Sequence, residues 1–271
     1  MDHYEKALEL HEKYRGKISV NCDMPIESKD ELSAAYTPGV AKPCIEIAKD
    51  PELAYKYTAK SHLVAVVSDG SAVLGLGNIG GAASQPVMEG KCALFKKFGG
   101  IDAFPLCLST QNTEEIISAV KAVAPTFGAI NLEDISAPRC FEIEERLRAE
   151  LPIPVFHDDQ HGTAAVVLAA VMNALKIKGM KKEDAKIAVC GCGAAGIAII
   201  KLLRSYGIKD IIAVDSKGIV SRDRSDLNPY KRAVAEITNL ENVKGGLEDA
   251  AAGRDIFIGV SKAACSRKKP S

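Results

Sequence analysis

Two pairs of neighbouring carboxylates are the residues of this chain with the clearest chemical potential. Glu133 and Asp134 lie in Asn131-Leu132-Glu133-Asp134, and Asp158 and Asp159 in His157-Asp158-Asp159-Gln160. Each pair follows an apolar run that reads as a strand, 127–132 and 153–156. In open α/β sheets, ligands bind outside the carboxyl ends of the strands. Acids converging there repel one another unless a cation lies among them, and carboxylate oxygens suit Mg²⁺ or Mn²⁺ with positions left over for a bidentate substrate. The competing reading makes them solvated loop acids, with Asp158 or Asp159 capping a following helix over 162–176. Charge placement alone leaves the two readings level. His157 and His161 flank the second pair, and as loop histidines they are expected to be exposed rather than ligating.

Two further residues are candidates for proton transfer. Lys91 falls in a helical pattern over 85–98, among Val87, Met88, Leu94, Phe95 and Phe98. It is either a solvated charge, as Lys96 and Lys97 are expected to be, or a buried amine with a lowered pKa that acts as a base. Tyr36 stands just before Pro38-Gly39, a turn that fixes it at an element's edge, where its hydroxyl can donate a proton. The plainer alternative packs the ring and leaves the hydroxyl to water.

The third feature is Val189-Cys190-Gly191-Cys192-Gly193-Ala194-Ala195-Gly196, between an apolar run at 186–190 and a helical segment at 194–206. Gly191, Gly193 and Gly196 fill G-x-G-x-x-G: a tight turn, room for a pyrophosphate, and close packing of helix on strand. Ala194, Ala195 and Gly196 would then open a helix whose N-terminal N–H groups face the phosphates. A second apolar run, 210–214, ends in Asp215, near the offset expected of an acid that binds the ribose hydroxyls. The alternative is a doubly wound sheet whose glycines serve packing alone.

The elements that must hold these residues alternate. After a surface helix over 4–14, strands are expected at 101–108, 127–132 and 153–156, with helices at 113–123 and 138–151 and a cap signature at Asn112-x-x-Glu115. Such alternation argues for a parallel sheet. The runs 62–67 and 72–77 flank Asp69-Gly70, which signals a hairpin. The expected fold class is therefore α/β: an N-terminal α/β domain with a parallel sheet over 1–160, then an incomplete Rossmann-type dinucleotide-binding domain over 161–271. Residues 216–224 read as polar loop, 248–252 as a short helix and 255–260 as a strand.

Composition narrows the function classes. With 35 basic and 35 acidic residues in 271, nothing global favours nucleic acid or an anionic membrane surface. No apolar run reaches transmembrane length and the start has no signal-peptide core, so a cytoplasmic protein acting on a small molecule is expected. The eight cysteines are scattered, which favours reduced thiols over disulfides or a zinc site. The four basic residues after Ser261 read as a disordered end.

Taken together, AYTPGVA (35–41), VSDGSAVLGLGNIGGAA (67–83), MEGKCALFKKFGGIDAFP (88–105), NLEDISAP (131–138), HDDQHGTA (157–164) and CGCGAAGIA (190–198) resemble a bacterial-type malic enzyme, in order from about 20 to 262. The resemblance implies oxidative decarboxylation of malate to pyruvate and CO₂, with NAD or NADP reduced and Mn²⁺ or Mg²⁺ required. It makes Glu133, Asp134 and Asp159 metal ligands, Lys91 the general base, Tyr36 the general acid and Asp158 a partner of the lysine. Lys91 would take the proton of the 2-hydroxyl as hydride leaves C2, and Tyr36 would protonate C3 after CO₂ is lost from C4. Asp215 favours NAD by repelling a 2′-phosphate, whereas Lys217 would tolerate one. Family members usually pair, so a homodimer is expected. Where animal-type members carry a substrate-binding arginine, Ser71 and Ala72 stand here, as in bacterial-type members. The family continues past Gly259-Val260-Ser261 with more of the cofactor domain, so the resemblance is to a C-terminally shortened member. Two other outcomes stay open: a non-catalytic remnant that binds metal, nucleotide or a full-length subunit, and a malolactic-type conversion to lactate.

Overall fold

The structure, a computed structural model, describes residues 2–261. The basic cluster after Ser261 and Cys265 lie outside the described residues. The chain divides into two compact units, one made of the residues up to Glu133 with Glu145–Val155, the other of Asp134–Glu144 with the residues from Phe156 on.

The first unit opens with α1 (His3–Tyr14), which buries none of its residues. Next come α2 (Lys29–Ala35), α3 (Ala41–Lys49) and α4 (Ala54–Tyr57). Ser28 starts α2 through a capping box with Glu31, the side chain of each accepting from the other's backbone. Then follow β1 (Leu63–Ser68), α5 (Gly80–Gly99), β2 (Asp102–Cys107), α6 (Thr113–Val123) and β3 (Ala129–Leu132), while α7 (Arg139–Glu150) and β4 (Val155–His157) are each divided between the two units. The sheet order is β2-β1-β3-β4, and β1 pairs in parallel with both β2 and β3.

β1 is buried along almost its whole length, and an uninterrupted apolar strand is what a sheet covered on both faces requires. Val66 packs with Met88 and Cys92 of α5, so the helix that carries Lys91 is seated on the central strand. Asn112 caps α6 by accepting from the N–H groups of Glu114 and Glu115, as its position in the sequence predicts.

The hairpin expected around Asp69-Gly70 does not form. Both edges of β1 are taken by parallel neighbours, which leaves no ladder for a returning strand. The run 72–77 closes on itself instead, with one antiparallel bridge from Val73 to Gly77. Asp69, fully buried, accepts from the N–H and hydroxyl of Ser71 at 3.0 and 2.6 Å and so turns the chain into a loop.

The second unit contains α8 (Asp158–Lys178), β5 (Lys186–Cys190), α9 (Ala194–Tyr206), β6 (Asp210–Asp215), β7 (Gly218–Ile219), α10 (Pro229–Ile237), α11 (Leu247–Ala251) and β8 (Ile256–Gly259). Its sheet order is β7-β6-β5-β8, parallel except for β7, which returns antiparallel against the end of β6. The segment expected as polar loop after Asp215 thus supplies a short strand, and α10 starts at an Asn228-Pro229 cap. α8 packs on α9, and Ile212, Val214, Ile219 and Ala250 form a core cluster under the glycine turn's sheet. Among the described residues, no helix is long and apolar enough to cross a membrane. The seven described cysteines are free thiols.

Candidate active site

In the first unit, Glu133 is held by its backbone, whose N–H donates to Val67 O at 2.9 Å just past the end of β3. Its side chain is 9 % exposed, and its carboxylate accepts from Asn131 Nδ2 at 2.9 Å and lies 3.2 Å from Lys91 Nζ. The solvated alternative for Lys91 is thereby removed, because its side chain is only 22 % exposed and its ammonium faces a buried acid. Asn131 is fully buried, and its Oδ1 has no hydrogen-bond donor among the described residues. Tyr36 follows α2 as its C-cap; its side chain is exposed, and no hydrogen bond joins it to Lys91 among the described residues.

In the second unit, Asp134 is 4 % exposed and adopts a left-handed backbone (φ 54°), a conformation costly for most side chains and commonest for Asn and Asp. The turn aims its N–H at Asp159 Oδ2, 2.9 Å away. Asp158 and Asp159 form the first turn of α8, where the helix dipole favours acids. Neither is the N-cap, a position taken by His157 without a side-chain bond. The Asp158 carboxylate lies over Gly162, where an added Cβ would meet its Oδ1 at 2.2 Å.

One of the two histidines departs from expectation. His157 is completely buried, because it ends β4 rather than standing in a loop. Its Nε2 is 3.2 Å from Asp159 Oδ2 but off the hydrogen-bond direction. His161 is exposed, as expected, and pairs with Glu144 at 2.8 Å. Glu144 was invisible in the sequence, where it is one acid of a charged helix; no local signal marks it as buried.

Among the described residues no group of three or more His, Cys, Asp or Glu side chains is gathered tightly enough to hold a metal ion. Each unit nonetheless carries oxygens of the kind that suits a hard divalent cation: nearly buried Glu133 with the orphaned Asn131 Oδ1 beside it in the first, and nearly buried Asp134 with Asp159 in the second.

The glycine turn fits a nucleotide. Gly191 has φ 115°, and a Cβ on Gly196 would meet Gly191 O at 1.7 Å, so the first and third glycines cannot be replaced without moving backbone. A Cβ on Gly193 would meet nothing within 4 Å, which leaves open the approach that a pyrophosphate needs. Gly193 is also the N-cap of α9 and has no side chain to cap it, so the N–H groups of Ala194, Ala195 and Gly196 lack intrahelical partners. Cys190 and Cys192 are buried, and burial pushes the Cys192 thiol up to about 12, which makes it an inert packing group.

Asp215 ends β6 as expected, but its carboxylate is already engaged. Oδ1 accepts from Arg224 Nη1 at 2.8 Å and from the Lys217 N–H at 2.9 Å; Oδ2 accepts from Arg224 Nη2 at 3.2 Å and from Lys231 Nζ at 2.6 Å. Burial opposes the charge on Asp215, yet the bonds from Arg224 and Lys231 outweigh it and hold the carboxyl below its usual range. The Lys217 ammonium turns instead to Asp226, 3.0 Å away. No local pattern in the sequence links Arg224 and Lys231 to Asp215, because they reach it from 9 and 16 residues further on.

Comparison with known proteins agrees with this geometry. The malic enzyme N-terminal domain model matches residues 15–116 and 109–148, and the malic enzyme NAD binding domain model matches 160–264. The chain is 60 % identical to an NAD-dependent malic enzyme of Geobacillus stearothermophilus over 91 % of its own length and 52 % of that protein's. It is 51 % identical to a bifunctional malic/malolactic enzyme of Bacillus subtilis, over 98 % of this chain and 65 % of that one. Among solved structures, an NAD-dependent malic enzyme from Thermotoga maritima superposes with a TM-score of 0.92 at 53 % identity, over 94 % of this chain and 68 % of that one. The chain thus spans about half to two thirds of the length of these relatives. A glycine turn built for a dinucleotide, a lysine set against a buried acid and two family models that together cover most of the sequence lead to one assignment: the chain belongs to the malic enzyme family.

Proposed function

We propose that the chain oxidatively decarboxylates malate to pyruvate and CO₂ with reduction of NAD(P)⁺, in a reaction that needs Mn²⁺ or Mg²⁺. The observation that carries this reading is the Lys91–Glu133 pair, an amine held 3.2 Å from a carboxylate in a nearly buried setting. Glu133, Asp134 and Asp159 are the proposed cation ligands, and a cation there would lower the pKa of the malate 2-hydroxyl and stabilise the enolate left after loss of CO₂. Lys91, as the free amine, takes the 2-hydroxyl proton, and Asp158 supports its protonation. Tyr36 then delivers a proton to C3 from its phenolic oxygen. The backbone N–H groups of Ala194, Ala195 and Gly196 would hold the pyrophosphate, with Gly191 and Gly193 giving it room, and the bound nucleotide would supply the hydride acceptor. NAD is the proposed carrier and NADP a tolerated one, since Asp215 ends β6 while Arg224 and Lys231 neutralise its charge. In this reading residues 1–160 supply the acids, the base and the proton donor, and residues 161–271 the nucleotide site. Pairing into a homodimer belongs to the same proposal.

The test is absorbance at the NAD(P)H band with malate, Mn²⁺ and each nucleotide, with pyruvate and lactate assayed in parallel. Equal NAD(P)H and pyruvate supports the reading. A second reading, malolactic conversion, is favoured by the Bacillus subtilis relative, and lactate without net NADH would select it. No product from a folded sample would select a non-catalytic remnant.

A further inference from the structure

Glu144 is a carboxylate that the proposed chemistry does not use. It lies on α7 in a stretch whose neighbours Cys140, Phe141, Ile143 and Leu147 are core residues, and it is itself 4 % exposed. A carboxylate in such surroundings is costly unless donors surround it. The donors all come from one short segment. Oε1 accepts from the His157 N–H at 3.0 Å, Oε2 accepts from Gln160 Nε2 at 3.0 Å, and His161 Nε2 lies 2.8 Å from Oε1 and 3.0 Å from Oε2. A carboxylate only accepts, so the His161 tautomer with hydrogen on Nε2 is selected. Residues on both sides of Asp158-Asp159 are thus tied to a single side chain.

The bonds to Glu144 lie at the junction of β4 and α8. The helix begins directly after the strand, and His157, its N-cap, supplies no side-chain bond to the first turn. Two adjacent acids in that turn repel each other. Asp159 must also present its carboxylate to the Asp134 N–H while leaving an oxygen for a ligand. Charge-assisted bonds donated to a buried carboxylate are strong and directional enough to set such a turn.

We infer that Glu144 is a positioning residue, whose carboxylate clamps His157, Gln160 and His161 so that Asp159 is oriented for cation binding. This rests on the proposed cation role of Asp159. Groups that orient metal ligands commonly change affinity by about 10–100-fold when removed.

The test uses Glu144→Gln, which keeps shape but turns one acceptor into a donor, and Glu144→Ala. Mn²⁺ binding is titrated by the electron paramagnetic resonance signal of the free ion, NADH binding by fluorescence, and folding by circular dichroism. The expected result is Mn²⁺ affinity lower by about tenfold or more in both variants, with NADH affinity within about twofold of the parent chain. A merely structural residue would weaken both ligands together. Unchanged Mn²⁺ affinity in a folded variant, parallel loss of both ligands, or loss of the folded state in both variants would each overturn the inference. If the parent chain binds NADH but no Mn²⁺, the cation reading itself fails, and the role inferred for Glu144 falls with it.

Discussion

Lys91 and the glycines give the sharpest residue-level expectations. Lys91→Ala is expected to lower the malate-dependent rate by about 10²–10⁴-fold, the usual share of a general base, while leaving NADH binding unchanged. Steady-state kinetics alongside NADH fluorescence checks it, and a rate within a few-fold of the parent would remove Lys91 from the chemistry. Gly193→Ala and Gly196→Ala should separate function from fold. The first adds a methyl where nothing lies within 4 Å, so thermal stability is expected to hold while nucleotide affinity falls. The second drives a Cβ to 1.7 Å from Gly191 O, so the melting temperature itself is expected to drop. At this scale the sequence showed residue types well and their surroundings poorly. Glu133, Asp134, Asp158 and Asp159 stand out as adjacent acids at strand ends, whereas Glu144, Arg224 and Lys231 matter through partners far along the chain that no local pattern encodes. The burial of His157 is hidden from the sequence for the same reason, since burial of a strand's last residue depends on its neighbours.

At the scale of elements, helices and strands with a strong period were legible, and those set by tertiary competition were not. α6, β5 and α9 fall where apolar spacing and caps place them. The hairpin around Asp69-Gly70 failed because turn chemistry is local while strand pairing is not, and β2 and β3 had already taken both edges of β1. The link from β6 to α10 carries its own expectation. Asp215 joins β6 to Arg224 and to Lys231 of α10, so Asp215→Asn leaves two cations short of a partner. Loss of one member of a buried pair costs about 3–5 kcal/mol, and partial exposure of the two cations puts this case at or below the low end. Because the folded carboxyl is held below its usual range, the stability it adds is full above that range and is lost as the pH falls through the lowered value. Denaturant unfolding of the parent chain from pH 7 downward is therefore expected to lose stability on this acid limb. The variant is expected to start lower and lack that part of the slope. Equal slopes would mean that the pair does not survive in solution.

For the whole molecule, balanced charge pointed away from nucleic acid, and the ordered run of motifs pointed to the family far more specifically than any element did. Two sheets with parallel strands emerged as alternation predicted, because βαβ connections are spaced visibly along a chain. The central claim concerns a reaction in which three products arise together, so the most direct measurement follows all three from malate labelled at C4. With Mn²⁺ and NAD⁺ present, labelled CO₂, pyruvate and NADH are expected in equal amounts, and a chelator should abolish all three together. Labelled CO₂ that appears with lactate and no NADH, or equal yields that persist after chelation, would contradict the metal-dependent oxidative reaction proposed for this chain.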